Sequence, residues 1–546
     1  MKFDTPLEAF LYWEENTPDN LFFKQPIDGK TTLYTYGQAG DEIRRMASVL
    51  KGLALPENSH IALLSKNCAH WIMADLAIMM AGHVSIPIYP TLNAESIKTI
   101  LVHSESKAII VGKLDDFESQ KAGIPDIHTI AVRAYGVEEG LSWEELVSQN
   151  EPLRDIREWK PDDLMTIIYT SGTTGKPKGV MHVAGSFAKI INVALKVIIL
   201  PPHPRFFSYL PLTHIAERVG VEMHGLFKGA SITFTESLET FAADLEATQP
   251  DLFFAVPRIW SKFQEKILEK MPQKKLNTLL KIPVLNTIVK KKITKKLGLS
   301  RVSYIASAAA PLAVSTMEWF GTLGITIYQA YAMTEDCIHS HFNLVGANKV
   351  GTVGRPLPDV QVKLTGEGEI CIKTECLMKG YYKEPILTDE VFDDEGYFKT
   401  GDIGTYDDEG YLTITGRVKD QFKTDKGKYI SPAPIELELT KNSDIELVCV
   451  VGTGIPQPVA LVVLSQSGKS KDKENLEWSL RQTIEAVNPT LEKHEKISRV
   501  IVMKDEWTVE NGLLTPTLKT KRNKIEDIHQ SSYKQWYDEP ELVVYE

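Results

Sequence analysis
Positive charge is in short supply in this chain of 546 residues: 61 Lys and Arg stand against 72 Asp and Glu, a formal net charge of −11. A protein that grips nucleic acid through its phosphates needs the opposite balance, so nucleic acid is excluded as a main partner. Cysteine is scarce and unpatterned. The five (Cys68, Cys337, Cys371, Cys376, Cys449) are odd in number and contain no Cys-x-x-Cys, which argues against structural zinc and for a reducing compartment. Long apolar runs are missing as well. The most apolar stretch, Trp71 to Ile88, is broken by Asp75, His83 and Pro87 and reads as a buried helix followed by a strand rather than a membrane span. The opening residues Met1-Lys-Phe-Asp-Thr-Pro lack the apolar core of a signal peptide, and the expectation is a cytoplasmic protein. Internal repeats and low-complexity tracts are also absent from the sequence.

What is present is ordinary globular composition, 43% hydrophobic and 24% charged, in a chain too long for one core. From about residue 37 to 265, amphipathic helices alternate with short apolar segments such as Ile61-Ala-Leu-Leu-Ser, Val84-Ser-Ile-Pro-Ile, Ala108-Ile-Ile-Val and Leu252-Phe-Phe-Ala-Val. Alternation of that kind predicts an α/β fold with parallel sheets covered by helices. Residues 351–415 change to Gly- and Asp-rich β segments, the pattern of a small antiparallel subdomain. After Gly416-Arg-Val-Lys-Asp420 the order helix, strand, strand, helix, strand predicts a compact α+β C-terminal domain. The expected division is 1–415, a connector at 416–421, and 422–546.

The densest chemical signal is Tyr169-Thr-Ser-Gly-Thr-Thr-Gly-Lys-Pro-Lys-Gly179, directly after apolar Met165 to Ile168. Glycines at 172, 175 and 179 allow backbone N–H groups to turn toward an anion, while the hydroxyls of Thr170, Ser171, Thr173 and Thr174 and the ammonium groups of Lys176 and Lys178 add donors and charge. This reads as a phosphate-gripping loop. It is not the P-loop of NTPases, because Pro177 stands where a Ser or Thr should follow the first lysine.

Further along, Ile327-Tyr-Gln-Ala-Tyr-Ala-Met-Thr-Glu335 sets a Thr-Glu pair after an apolar strand, and a carboxylate at a strand end is a suitable Mg²⁺ ligand. Thr400-Gly-Asp-Ile-Gly404 and Gly416-Arg417 follow, in which the two oxygens of Asp402 suit a vicinal diol and Arg417 adds donors. Near the end comes Asn511-Gly-Leu-Leu-Thr-Pro-Thr-Leu-Lys-Thr-Lys-Arg522. His214 lies in Leu210-Pro-Leu-Thr-His-Ile-Ala-Glu-Arg218, where a histidine is either a pocket residue or a satisfied structural one.

Taken in order, these motifs resemble the adenylate-forming superfamily of acyl-CoA synthetases, peptide-synthetase adenylation domains and beetle luciferases, over nearly the whole chain. The His-x-x-Glu-Arg segment, a lysine-rich excursion and the Leu-Thr-Pro-Thr-Leu-Lys ending are most similar to long-chain fatty acyl-CoA synthetases. The resemblance implies a large N-terminal adenylation domain and a small mobile C-terminal one. It implies ATP-dependent activation of a long-chain fatty acid to acyl-AMP, then thioester formation with coenzyme A; a fatty acyl-AMP ligase loading a carrier protein is the alternative. By the same resemblance Ser171, Gly172, Thr173, Thr174, Gly175 and Lys178 hold phosphates, Tyr331 stacks on adenine, Thr334 contacts phosphate, Glu335 and Thr170 bind Mg²⁺, and Asp402 and Arg417 hold ribose. Lys519 is implied as the catalytic lysine, with Lys521 as the other register; Lys419 as the hinge; and His214 as a border of the acyl pocket. Lys423 and Gly427 mark a loop that faces the site in the second half-reaction, although a plain turn accounts equally for Gly427. Ser307-Ala-Ala-Ala-Pro311 departs from the glycine-rich version of relatives, and its methyl groups are expected to narrow the nucleotide or acyl pocket.

One stretch inverts the charge of the chain. Residues 265–297 hold ten lysines against two glutamates, a local balance of +8, interleaved with Leu, Ile and Val. The pattern fits either a basic amphipathic helix or helix pair touching an anionic membrane at its inner face, or a solvated lysine-rich surface.

Overall fold
The computed structural model describes residues 2–171, 177–509, 511–515 and 519–546. The alternating apolar segments of the first half become an eight-stranded sheet in the order Gly380–Tyr381, Pro177–Val183, Leu164–Ser171, Val84–Ile88, His60–Leu64, Ala108–Val111, His128–Ala131, Leu141–Ser142. Pairing is parallel from Leu164–Ser171 to Leu141–Ser142 and antiparallel at the other edge. Parallel strands need covered faces, which is why they are almost purely aliphatic. The helix Ala69–Met80 supplies one cover and is buried along its entire length. Each large aliphatic side chain sequestered there contributes roughly 1.5–3 kcal/mol. The one carboxylate in that helix, Asp75, meets both its oxygens at 2.6 and 2.7 Å with Arg218 Nη2.

A second sheet runs Leu252–Ala255, Tyr304–Ser307, Tyr328–Tyr331, His341–Phe342, Arg355–Pro356, parallel across the first three strands. A third joins Arg205–Ser208, Ser231–Phe234, Leu21–Ile27 and Lys30–Thr35. The Gly- and Asp-rich segment forms the expected antiparallel sheet, Gln361–Leu364, Glu369–Lys373, Phe398–Tyr406, Leu412–Arg417. The last of these strands carries on through Gly416 and Arg417, so the turn into the C-terminal domain begins with the short 3₁₀ segment Val418–Asp420.

The C-terminal domain is a four-stranded sheet, Ile445–Val451, Val459–Leu464, Arg499–Val502, Val543–Tyr545, with helices on both faces. Period-two alternation divides its core. Val450, Val462 and Val502 face helices Pro432–Leu439 and Lys473–Val487, whereas Cys449, Leu461 and Ile501 face helices Arg522–His529 and Tyr533–Asp538. Arg258 of the large domain pairs with Glu446 of the small one, tying the two together at their facing surfaces.

The lysine-rich stretch is three helices, Pro257–Lys270, Gln273–Leu280 and Pro283–Lys296, inserted between two neighbouring strands of the second sheet. No helix among the described residues is long and apolar enough to cross a membrane.

Candidate active site
The glycine-rich motif is flanked by two strands that pair with each other. Strands Leu164–Ser171 and Pro177–Val183 pair antiparallel, placing Thr170 opposite Lys178 and Tyr169 opposite Gly179. Of the loop candidates, Gly172, Thr173, Thr174 and Gly175, together with Lys176, lie outside the described residues, and Ser171 closes the first strand. Gly179 corrects the sequence expectation. It sits in the second strand, and a Cβ there would come within 2.7 Å of Ile167 Cγ2 and 3.2 Å of the Tyr169 ring. Its glycine serves close cross-strand packing and not a turn toward an anion.

Lys178 projects from this hairpin over the ring of Tyr381, 5.1 Å from its centroid, and the Tyr381 hydroxyl donates to Glu335 Oε1 at 2.9 Å. Burial, and then the neighbouring Lys419 ammonium, lower the Lys178 pKa. Glu335 thus lies beside the phosphate hairpin. It follows the strand Tyr328–Tyr331 in a tight turn held by Asp336, whose Oδ1 accepts the Met333 N–H at 3.0 Å, and by the Met378 N–H donating to the Glu335 carbonyl at 2.7 Å. Burial pushes the Asp336 carboxyl up to about 8. Thr334 is buried, and its carbonyl is 2.6 Å from Nε2 of His182 on the hairpin. Because burial pushes that imidazole down to about 4, it is neutral and donates from Nε2.

On the other side of Tyr331 lies the diol-binding pair. Asp402 Oδ1 accepts from Arg417 Nε at 2.5 Å, and its Oδ2 accepts the Tyr331 hydroxyl at 2.8 Å. A carboxylate has about four lone-pair sites, so each oxygen keeps one for a ligand. The Asp402 charge raises the Arg417 pKa, and burial followed by Asp402 raises that of the Tyr331 phenol.

The C-terminal lysine closes this group. Leu514 bridges Thr520, the Thr515 N–H donates to the Lys519 carbonyl at 2.8 Å and the Lys519 N–H donates back to Thr515 Oγ1 at 3.0 Å, a local hairpin that presents Lys519. Its ammonium is near enough to Arg417 and Asp402 for their charges to be felt, and near enough to His214 to act on that ring. Surrounding protein lowers the Lys519 pKa to about 8, with Arg417 adding to the shift and Asp402 opposing it. Solvent still reaches the side chain and tempers this shift. Lys521 instead caps the helix Arg522–His529, with its N–H bonded to the Leu513 carbonyl at 2.8 Å.

His214 begins the short helix Ile215–Glu217, where its Nδ1 accepts the Ala216 N–H at 3.2 Å. Burial, reinforced by Lys519, pushes it down to about 4, so it is neutral at physiological pH. Two residues that follow it were quoted in the sequence but given no role. The Glu217 carboxylate, pushed up to about 8 by burial, accepts from Ser208 Oγ at 2.9 Å and the Tyr209 N–H at 2.8 Å. Arg218, wholly buried, bonds Asp75 and donates to Thr166 Oγ1 at 2.7 Å. Together they pin the His214 helix to the strand that leads into Thr170. Tyr381, His182 and Asp336 were also missed. Nothing in the spacing of Tyr381 and His182 announces them, because each acts across a distance in sequence that only the fold closes, whereas Asp336 acts locally on the turn that carries Glu335.

Two further candidates stay apart. Lys423 and Gly427 belong to a small hairpin of the C-terminal domain, with Lys423 Nζ 4.6 Å from the Tyr429 ring centroid. Gly427 has φ +73° with open space around it, a turn glycine. Lys419 is in the 3₁₀ segment two residues beyond Arg417, close enough to Lys178 for charge coupling. In the alanine-rich segment, Ala309 has φ +72°, a left-handed conformation that favours glycine.

Solved structures share this architecture at low identity. The adenylation domain of a carboxylate reductase from Mycobacterium chelonae superposes with a TM-score of 0.80 at 20% identity, covering 98% of this chain and 91% of that one. The anthranilate CoA ligase AuaEII in complex with anthranoyl-AMP gives 0.79 at 19%, covering 96% of each chain. In sequence, the peroxisomal long chain acyl-CoA synthetase 7 of Arabidopsis thaliana is 29% identical, with 94% of this chain and 82% of the relative covered. The long-chain-fatty-acid–CoA ligase FadD15 of Mycobacterium tuberculosis is 26% identical over 96% of each. The family model for the AMP-binding enzyme matches residues 10–382, and that for the AMP-binding enzyme C-terminal domain matches 419–541. With the larger match spanning well over half its length, the chain belongs to the AMP-binding enzyme family, the adenylate-forming ligases.

Proposed function
We propose that this protein is a long-chain fatty acid–CoA ligase, joining a fatty carboxylate to the α-phosphate of ATP with release of pyrophosphate and then transferring the acyl group from AMP to the thiol of coenzyme A. The observation that carries the reading is the meeting of Lys519 from one domain with Asp402, Arg417 and His214 from the other. Names of relatives support the substrate class: a long chain acyl-CoA synthetase and a long-chain-fatty-acid–CoA ligase align with more than nine-tenths of this chain.

In the first half-reaction, a carboxylate oxygen forms a bond to the α-phosphorus and the bond to pyrophosphate breaks. Negative charge grows on the phosphate oxygens, and preorganised cations and N–H donors aimed there lower the barrier. Lys519 is the mobile cation and Lys178 a fixed one, while Asp402 and Arg417 hold the ribose and Tyr331 the base. Neutral His214 and the helix behind it border the acyl carboxylate without taking a proton. Glu335 and Thr170 offer the hard oxygen donors that suit Mg²⁺. Among the described residues no group of three or more His, Cys, Asp or Glu could cage a metal, which fits a site completed by substrate phosphates. Bound there, the metal supplies charge neutralisation at the phosphates.

In the second half-reaction the thiol sulfur bonds the acyl carbon, AMP departs and the thiol proton goes to solvent. We assign the exchange of orientations to rotation about Lys419, which would withdraw Lys519 and bring the Lys423 to Lys428 hairpin to the cleft. The same proposal places the enzyme in the cytoplasm, with residues 265–297 meeting an anionic membrane where long-chain fatty acids partition. The test is release of pyrophosphate and AMP with ATP, Mg²⁺ and saturated acids from hexanoate to stearate, with and without coenzyme A. Turnover that requires coenzyme A and rises toward the long acids is expected. Pyrophosphate release without any thioester would point to a carrier-protein acceptor and sink the reading.

A further inference from the structure
The lysine-rich excursion divides its apolar residues into two sets. Leu276 is fully buried, and Leu280, Val289 and Ile293 pack on the same core, so the inner face of the helices is used up by the fold. At the turn between the second and third helices the outer set is uncovered: Ile282, Val284, Leu285 and Ile288 are 44%, 71%, 36% and 55% exposed. On helix Pro283–Lys296, Val284 and Ile288 stand one turn apart, and exposed Lys291, Lys292 and Lys295 continue the same stripe at spacings of three and four. The outward face is therefore apolar in its first two turns and cationic in its last two. An amphipathic helix that lies flat on a bilayer separates its faces across its width. This one separates them along its length, as a tip with a basic collar.

We propose that this tip seats the protein on an anionic bilayer, with Val284, Leu285 and Ile288 entering the boundary between headgroups and acyl chains and the lysines resting on lipid phosphates. Charge complementarity selects that occupant. A local balance of +8 on a chain of −11 draws this face toward an acidic surface while the net charge of the rest of the chain opposes approach, which biases the orientation. A solvated charge run accounts for the lysines but not for four large aliphatic side chains left open in their midst. The surface rests on the fatty-acid reading only for its purpose, and its test uses no substrate.

The experiment is flotation of the full chain with phosphatidylcholine vesicles, with and without phosphatidylglycerol, at low and high salt. Binding that needs phosphatidylglycerol and falls with salt is expected. Val284→Ser with Ile288→Ser should lower partitioning at least about tenfold while keeping its salt dependence, and Lys291→Gln with Lys292→Gln should lower it about 25-fold. No flotation of the wild-type protein at low salt, equal binding to neutral vesicles, or undiminished binding of both variants would each overturn the proposal. Thioester formation with fatty acid delivered on albumin is measured alongside. Variants that turn over normally are folded, and a protein that forms thioester without floating refutes the membrane surface alone.

Discussion
Replacing Lys519 with alanine separates the two half-reactions. An ammonium about 4 Å from a phosphate oxygen is worth about 4 kcal/mol at an effective dielectric constant near 20, and removing one preorganised donor from a developing oxyanion costs about 2.7–4 kcal/mol. Adenylation, followed as exchange of labelled pyrophosphate into ATP, should therefore fall by about 100- to 1,000-fold. Thioester formation from supplied acyl-AMP should stay within about threefold of wild type, because the proposed rotation would withdraw Lys519 in the orientation that admits the thiol. The pH profile supplies an independent readout. The acting form is the protonated amine, and its surroundings lower its pKa to about 8, so kcat/KM for ATP should hold at neutral pH and decline as pH rises through about 8. Lys519→Arg, whose charge does not titrate in that range, should lose the inflection even where its rate is low. Equal loss of both half-reactions in Lys519→Ala, or an unchanged alkaline limb in Lys519→Arg, would refute the assignment and the rotation with it.

Asp402→Asn removes a charge-assisted acceptor shared by Arg417 and Tyr331, and kcat/KM for ATP should drop about 10- to 100-fold; a change confined to the fatty-acid KM would mean that Asp402 does not hold the nucleotide. Arg218→Met strands Asp75 as a fully buried unpaired carboxylate, and urea denaturation should show about 3–5 kcal/mol of lost stability, most of it restored in Asp75→Leu with Arg218→Met; a loss under about 1 kcal/mol would show the pair to be dispensable. Arg258→Ala breaks the pair with Glu446 that joins the domains as seen here. Since both side chains are partly exposed, the contact is worth at most about 1 kcal/mol, and adenylation should slow up to about fivefold with no loss of thioesterification. Equal slowing of both would exclude a role in choosing the orientation.

Much of the fold was legible because its signals are local. The aliphatic strands at Val84, Ala108 and Leu252, the buried helix after Trp71 and the antiparallel segment near Gly368 all announce themselves within ten residues or so, and the structure has them where the sequence put them. The candidate ligand-binding residues stand out in the sequence for a different reason: the motif itself is the signal, as with Thr334-Glu335 or Asp402. The residues that hold those groups in place were not. Tyr381 reaches Glu335 across 46 positions and His182 reaches Thr334 across 152, and no periodicity or spacing encodes such a contact. Gly179 shows the opposite error, a motif glycine credited with binding when its work is packing. The lysine-rich helices show a third: sequence placed their apolar and basic residues in one segment, but only tertiary packing decides which aliphatics are consumed by the core and which are left at the turn.

The division of labour between the domains follows from electrostatics. Asp402, Arg417 and Tyr331 form a rigid, mutually bonded platform on the large domain, so nucleotide binding requires no rearrangement there. The cation proposed to serve the transition state, Lys519, comes instead from the small domain, beside the bridge between Leu514 and Thr520. A permanent lysine beside Arg417 would place two like charges together, and that repulsion adds to the burial that lowers the Lys519 pKa. In the proposed mechanism ATP would relieve it, since phosphates beside Lys519 favour the ammonium form and attract it. Once pyrophosphate has left, that attraction weakens while the repulsion from Arg417 remains. On the proposed rotation, the repulsion that ATP offsets during adenylation would favour releasing Lys519 afterwards, which is when a thiol needs the space.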